Sequence, residues 1–380
     1  MIQTEFLPWQ TDVAEQWLSA QSRSRFAHAW LINGQAGMGK RHFAIAAAAA
    51  MLCEAPLSPS GFACGQCVAC GWFRQGNHPD VMRVRPDAMA VKEGEADRLA
   101  DDAISSSSDM AGGAEEPTAA SSKKKSDAIS IDQIRALEPW YNRATHRGGE
   151  RVAVIYPAET LKVIAGNALL KALEEPPPHT VFLLVVDSPD ALLPTIVSRC
   201  RRLTLPMPTE HQSLAWLQEQ LKQQTKQQPK HQPNQPSKGQ LHAWLALSGG
   251  APIKAYELLQ QGGDACPDWL VGLLTQLSRQ QMPDVGRVAD QLATLQASQW
   301  LDILQRVAID LSWVANGLPV RYFPHLNELL GHVSGLAPAA SWLSLTHGLT
   351  EEMRLAHHPL NAKLFAHYCL SRFCTTAVPK

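Results

Sequence analysis

The chain has 380 residues, 45% of them hydrophobic and 18% charged, which is enough for two or three domains and excludes wholesale disorder. Lys and Arg number 34 against 35 Asp and Glu, a formal net charge of -1, so no overall field draws the chain onto nucleic acid and any DNA contact needs a local patch or a partner. The longest apolar run, Ala44 to Cys53, is too short to span a bilayer, and Met1 to Phe6 lacks the basic and apolar regions of an export signal, so a cytoplasmic protein with no membrane partner is expected.

Taken in chain order, Gln10 to Ala20 places Val13, Trp17 and Leu18 at helical spacing, and His28 to Asn33 reads as a short buried strand running into Gly34. Arg41 to Cys53 reads as an alanine-rich helix. Asp101 to Asp127 is rich in Ala, Ser, Gly and acid and ends in three lysines; it offers little to bury and reads as a flexible insertion. Arg151 to Tyr156 and Thr180 to Val186 are continuous apolar runs of strand length, the pattern of strands covered on both faces. Ala165 to Glu174, between them, has helical periodicity. Strands alternating with helices predict a parallel sheet flanked by helices. After Pro206 the strand signal ends. Lys222 to Lys238 is Gln, Lys and Pro, and its prolines at 229, 233 and 236 predict a helix-free linker. From Gln240 onward only amphipathic helices are read, carrying Trp244, Trp269, Trp300, Trp313 and Trp342.

Two motifs carry chemistry. Gly34-Gln35-Ala36-Gly37-Met38-Gly39-Lys40-Arg41 lies between the first strand and a helix, the context of a phosphate-binding loop. Gly34, Gly37 and Gly39 would let backbone N–H groups converge on a phosphate, with Lys40 reaching its outer oxygens. The next position needs a Ser or Thr hydroxyl to hold Mg²⁺, and Arg41 cannot supply one, so no Mg²⁺ site is expected. Nucleotide or phosphate binding and a glycine turn that only packs a helix onto the sheet both remain open. Cys53, Cys64, Cys67 and Cys70 follow C-x10-C-x2-C-x2-C, with glycines between them that allow tight turns. Four thiolates suit tetrahedral Zn²⁺ with no position left for water, hence a structural metal; reduced thiols or an iron–sulfur cluster are the alternatives. Cys200, Cys266, Cys369 and Cys374 are isolated and read as small apolar residues.

Asn167 to Pro177 resembles the helix-and-turn motif of the clamp-loader branch of the AAA+ family, and Pro194 to Cys200 resembles its Ser-Arg-Cys motif. With the glycine loop, the four cysteines and Gly76-Asn77-His78-Pro79-Asp80, these make residues 1–206 similar to bacterial DNA polymerase III clamp-loader subunits. The resemblance implies an α/β AAA+ core over 1–206 with a zinc module near 53–70, an all-α lid over 207–262 interrupted near 222–239, and an all-α collar over 263–380. In the ATP-hydrolysing members the strand ending here in Val154-Ile155 is followed by Asp-Glu; this chain has Tyr156-Pro157. The sensor threonine is replaced by Val186, and the lid's sensor arginine falls on Ile253, with Lys254 beside it.

Those losses imply the member that keeps the fold without the ATPase and works inside the polymerase holoenzyme, a nucleotidyltransferase, with no catalysis of its own. Its expected partners are the delta and gamma/tau ATPase subunits of a hetero-pentameric ring, with the sliding clamp and primer-template DNA reached through the complex. Arg199 of the Ser-Arg-Cys motif would act as an arginine finger in a neighbour's ATP site; otherwise it caps its local helix or pairs with a core acid. Arg201 and Arg202 read as surface or DNA-facing charge. Competing readings are a divergent but active AAA+ ATPase and a zinc-dependent DNA-binding protein that works alone.

Overall fold

In the computed structural model of the chain, which describes residues 2–21, 26–93, 126–227, 236–262, 264–356, 358 and 361–378, the continuous apolar runs become β-strands. They are β1 (Ala29–Asn33), β3 (Arg151–Ile155) and β4 (Thr180–Val185), joined by β2 (Val81–Val84) and β5 (Arg201–Thr204). All pairings are parallel and the order is β2-β3-β4-β1-β5, so β1 lies between β4 and β5. Leu31 is in register with Leu184 on one side and Arg202 on the other.

Side chains alternate across a strand, so each run feeds two cores. Trp30, Ile32, Val152, Val154, Leu183 and Val185 join the core formed with α1 (Thr11–Gln21) and α2 (Lys40–Met51). Ala29, Leu31, Ala153, Ile155, Phe182 and Leu184 join the opposite core. The elements along the intervening chain are α3 (Val68–Gln75), α4 (Asp87–Lys92), α5 (Ile131–Arg135), α6 (Leu137–Tyr141), α7 (Val163–Glu174) and α8 (Pro194–Val197). Of these, α5 to α8 cover the second face through Ile134, Leu137, Leu169, Leu173 and Ile196. The alanines of α2, Ala44 and Ala46 to Ala50, are all buried, and small side chains there keep the helix backbone close to its neighbours.

The chain divides into two compact units, Met1–Met207 and Pro208–Lys380. Within the second, α9 (Glu210–Gln227), α10 (Lys238–Leu247) and α11 (Pro252–Gln261) enclose a small core of Leu214, Leu217, Leu241, Leu245 and Ala255. A larger core is built from α12 (Asp268–Ser278), α13 (Val285–Leu292), α14 (Ala297–Ala315), α15 (Asn327–Ser334), α16 (Ala339–Leu355) and α17 (Ala362–Ala377), around Trp300, Phe323, Trp342 and Phe373. Trp244 packs against both cores.

Two expectations change. β2 and β5 were not expected as strands. The linker read from Lys222 is helical as far as Gln227, because Gln and Lys are good helix formers and no proline occurs before Pro229. The Asp101–Asp127 insertion lies almost wholly outside the described residues, as do residues 228–235 of the Gln-rich stretch. Among the described residues, no helix is long and apolar enough to cross a membrane.

Candidate functional site

The glycine loop sits at the C-terminal end of β1, where its strand order sets it between the ends of β4 and β5. Gly37 and Gly39 have φ of 80° and 89°, a left-handed conformation that side-chain-bearing residues adopt at a cost, and Gly39 is the N-cap of α2. The fold braces the loop from outside. Trp9 Nε1 donates to the Met38 carbonyl at 3.0 Å, and the buried Gln10 amide donates to the Gly39 carbonyl at 2.9 Å. Lys40 is buried, and its ammonium donates to the carbonyls of Gly34 and Gln35 at 2.6 and 2.8 Å and pairs with Asp187 at 2.5 Å.

One carboxylate, Glu93, ties Arg41 and Tyr156 together. Glu93 Oε1 accepts from Arg41 at 2.7 Å, while its Oε2 accepts from the Tyr156 hydroxyl at 2.9 Å and pairs with Arg85 at 2.9 Å. Both guanidinium groups lie 6.0 Å from the centre of the Tyr156 ring. Tyr156 is fully buried, and burial holds its phenol protonated well above the usual range. Two cations and a neutral phenol engage both oxygens of Glu93, so this carboxylate is not free to ligate a divalent ion. Val186 is buried, with its N–H donating to Ile32 O at 3.0 Å; the side chain that reaches Lys40 from the end of β4 belongs to Asp187.

The four cysteines converge. Their sulfur atoms all lie within 4.8 Å of one another, and Cys53 and Cys67 are 3.9 Å apart. A tetrahedron of thiolates about 2.3 Å from Zn²⁺ has edges of about 3.8 Å. Backbone N–H groups point at the sulfurs: Cys64 N–H to Cys53 Sγ at 3.2 Å, Cys67 N–H to Cys64 Sγ at 3.3 Å and Cys70 N–H to Cys67 Sγ at 3.4 Å. Such donors favour thiolate, and those of Gln66 and Cys67 bring Cys64 down to about 6. Burial pushes Cys53 and Cys70 up. The donor set and spacing fit a closed structural metal site. Cys67 also caps α3, so the helix starts at the site. Arg147 ties the cluster to the sheet: it pairs with Glu54 and lies 5.5 Å over Trp72. The other cysteines are free; Cys200, Cys369 and Cys374 are buried and Cys266 is partly so.

Arg199 follows α8. Its guanidinium pairs with Glu174 at the end of α7 at 2.6 Å and donates to the Thr195 carbonyl at 2.9 Å, with a third of the side chain exposed. In the isolated chain it therefore both caps its local helix and holds an acid, although Glu174 is half-exposed rather than a core residue. Arg201 and Arg202 are exposed on β5, and Arg201 stacks 5.2 Å over Trp30.

The sequence matches, over residues 9–209, the family described as DNA polymerase III, delta subunit. It is 35% identical to DNA polymerase III subunit delta' of Pseudomonas aeruginosa over 258 residues, 68% of this chain and 62% of that protein. It is 28% identical to the Escherichia coli subunit delta' over 253 residues, 67% of this chain and 60% of the relative. The chain thus spans less than two thirds of the length of these relatives. A DNA polymerase III subunit tau of Bacillus subtilis is 29% identical over 184 residues, 48% of this chain. The chain belongs to the DNA polymerase III delta' family.

Within this delta' chain, three acids around the motifs carry no signal of their own in the sequence analysis, Glu93, Glu159 and Asp187, whereas Glu174 lies inside the Asn167–Pro177 motif. Glu159 Oε1 accepts the Asp187 N–H at 3.3 Å, and burial, with Asp187 close by, holds its carboxyl above the usual range. Asp187 and Glu159 follow the C-terminal ends of β4 and β3, the edge of a parallel sheet where ligand sites gather. That position was the signal available for them. Glu93 lies at a helix end and had none.

Proposed function

We propose that this chain is the delta' subunit of a bacterial clamp loader, helping to load a sliding clamp on primer-template DNA while hydrolysing no ATP itself. The observation that carries the reading is the Arg41–Glu93–Arg85–Tyr156 cluster, which fills the place of Mg²⁺ and of the residue that orients water. The glycine loop keeps the backbone cradle around Gly34, Gly37, Gly39 and Lys40 without a metal site. Cys53, Cys64, Cys67 and Cys70 hold one structural Zn²⁺. The two cores of the second unit serve as lid and collar, and the collar joins delta and gamma/tau-type ATPase subunits in a ring of five in the cytoplasm.

In that ring Arg199 leaves Glu174 and enters a neighbour's ATP site, where a guanidinium stabilises charge on the γ-phosphate. Reconstitution with partner subunits tests this, reading assembly and ATPase on one preparation. Arg199→Ala should assemble and lose part of the ring's ATPase and clamp loading, and Arg199→Lys should rescue poorly because an ammonium lacks the planar fork. Wild-type ring activity in the alanine variant, or a loss fully explained by failed assembly, would remove the finger role. ATP turnover by the purified chain that vanishes in Lys40→Ala would instead favour a divergent ATPase.

A further inference from the structure

Lys40 is the loop's phosphate-facing cation by its place in the motif, and its donors are already used. An ammonium has three N–H groups. They meet three oxygens: the Gly34 and Gln35 carbonyls and the Asp187 carboxylate. Asp187 is anchored from two sides. Its neighbour Val186 donates to Ile32 in β1 at 3.0 Å, and its own N–H donates to Glu159 at 3.3 Å. A second carboxylate therefore stands behind the first. This acid is Glu159; its Oε2 is buried with no hydrogen-bond partner, and it lies close enough to Lys40 and Asp187 to interact with both charges.

We propose that Asp187 is a built-in anion that takes the place of a phosphate on Lys40 and keeps nucleotide out of this chain's own loop. A polyphosphate entering here must displace a charge-assisted bond to a buried lysine and then sit beside two carboxylates. Beside the loop, Arg41 holds Glu93, so that carboxylate is not free to bring in a divalent cation. Asp187 is itself half-exposed, at the mouth of the loop, so the plug sits where an incoming anion would arrive and can be removed without opening the core.

The test is isothermal titration of the purified full chain with metal-free ADP and, separately, inorganic pyrophosphate. Wild type should bind neither at low millimolar concentration. Asp187→Asn, which keeps the shape and removes the charge, should gain binding by tenfold or more, and Asp187→Asn with Lys40→Ala should lose it again. A gain for ADP alone would assign the site to nucleotides; a gain for both would assign it to the diphosphate group, and either supports the plug. Asp187→Ala serves as a second variant if the asparagine form is misfolded by circular dichroism. Wild-type affinity equal to that of folded Asp187 variants, or no gain in either variant, would overturn the proposal.

Discussion

Arg41 and Tyr156 read in the sequence as separate departures from a nucleotide site, but in space they share one of two saturated groups. One is Lys40 with Asp187; the other is Glu93 with Arg41, Arg85 and Tyr156. On the proposed reading each replaces a ligand by an internal partner, and single reversions should therefore be ineffective. Arg41→Thr restores a hydroxyl in the loop, yet Tyr156 and Pro157 still offer no carboxylate for a metal. No Mg²⁺-dependent ATP turnover should appear in a coupled assay of that variant, and turnover above background would contradict the reading. Glu93→Ala removes the acceptor from the buried Arg85 and the buried phenol at once. Losing one partner of a buried pair costs about 3 kcal/mol. A fall of that order in urea-denaturation stability is expected, and an unchanged midpoint would mean that solvent replaces the carboxylate.

At the scale of elements, legibility followed burial. β1, β3 and β4 are central, covered on both faces, and therefore apolar without interruption; the sequence marked all three. β2 and β5 are the sheet edges. β5 reads Arg-Arg-Leu-Thr and is mostly exposed, and β2 contains Arg83, so neither carries the apolar run that announces a strand. Their strand character comes from pairing with β1 and β3, which no local pattern records. The cysteine cluster was legible for the opposite reason, since ligand spacing is local. Metal binding there is also local folding, because Cys67 caps α3 and the four sulfurs have no other cross-link. Purified protein should contain one Zn²⁺ per chain by metal analysis. Cys64→Ser, or a strong chelator, should release it and raise hydrogen exchange across residues 53–80. The exchange of β3 and β4 should stay slow, and zinc-free protein with unchanged protection over 53–80 would make the metal dispensable.

At the scale of the whole molecule, the helical character of the second unit was legible, but its internal pin was not. Asp310 is fully buried in α14 and accepts the N–H groups of Arg321, Tyr322 and Phe323 at 2.9–3.1 Å, fastening the turn that carries Phe323 into the larger core. Burial pushes its carboxyl above the usual range, while those three N–H groups pull it back. Helical periodicity places Asp310 on an apolar face and so makes it look misplaced; the partners that justify it lie 11 to 13 residues away. Among the described residues, nothing in that core comes from before Leu247 except the partly buried Ala243 and Trp244. The unit thus has its own cores and its own polar fastening, and a fragment spanning Pro208–Lys380 should fold alone. It should show helical circular dichroism and one cooperative unfolding transition. Asp310→Asn turns an N–H₂ toward backbone donors and leaves one buried donor or more unsatisfied, at about 1–3 kcal/mol. The fragment should lose that much stability while staying helical. A fragment with no cooperative transition would mean that residues before Pro208 complete its core, and an Asp310→Asn fragment as stable as wild type would mean that the turn is held by Phe323 packing alone.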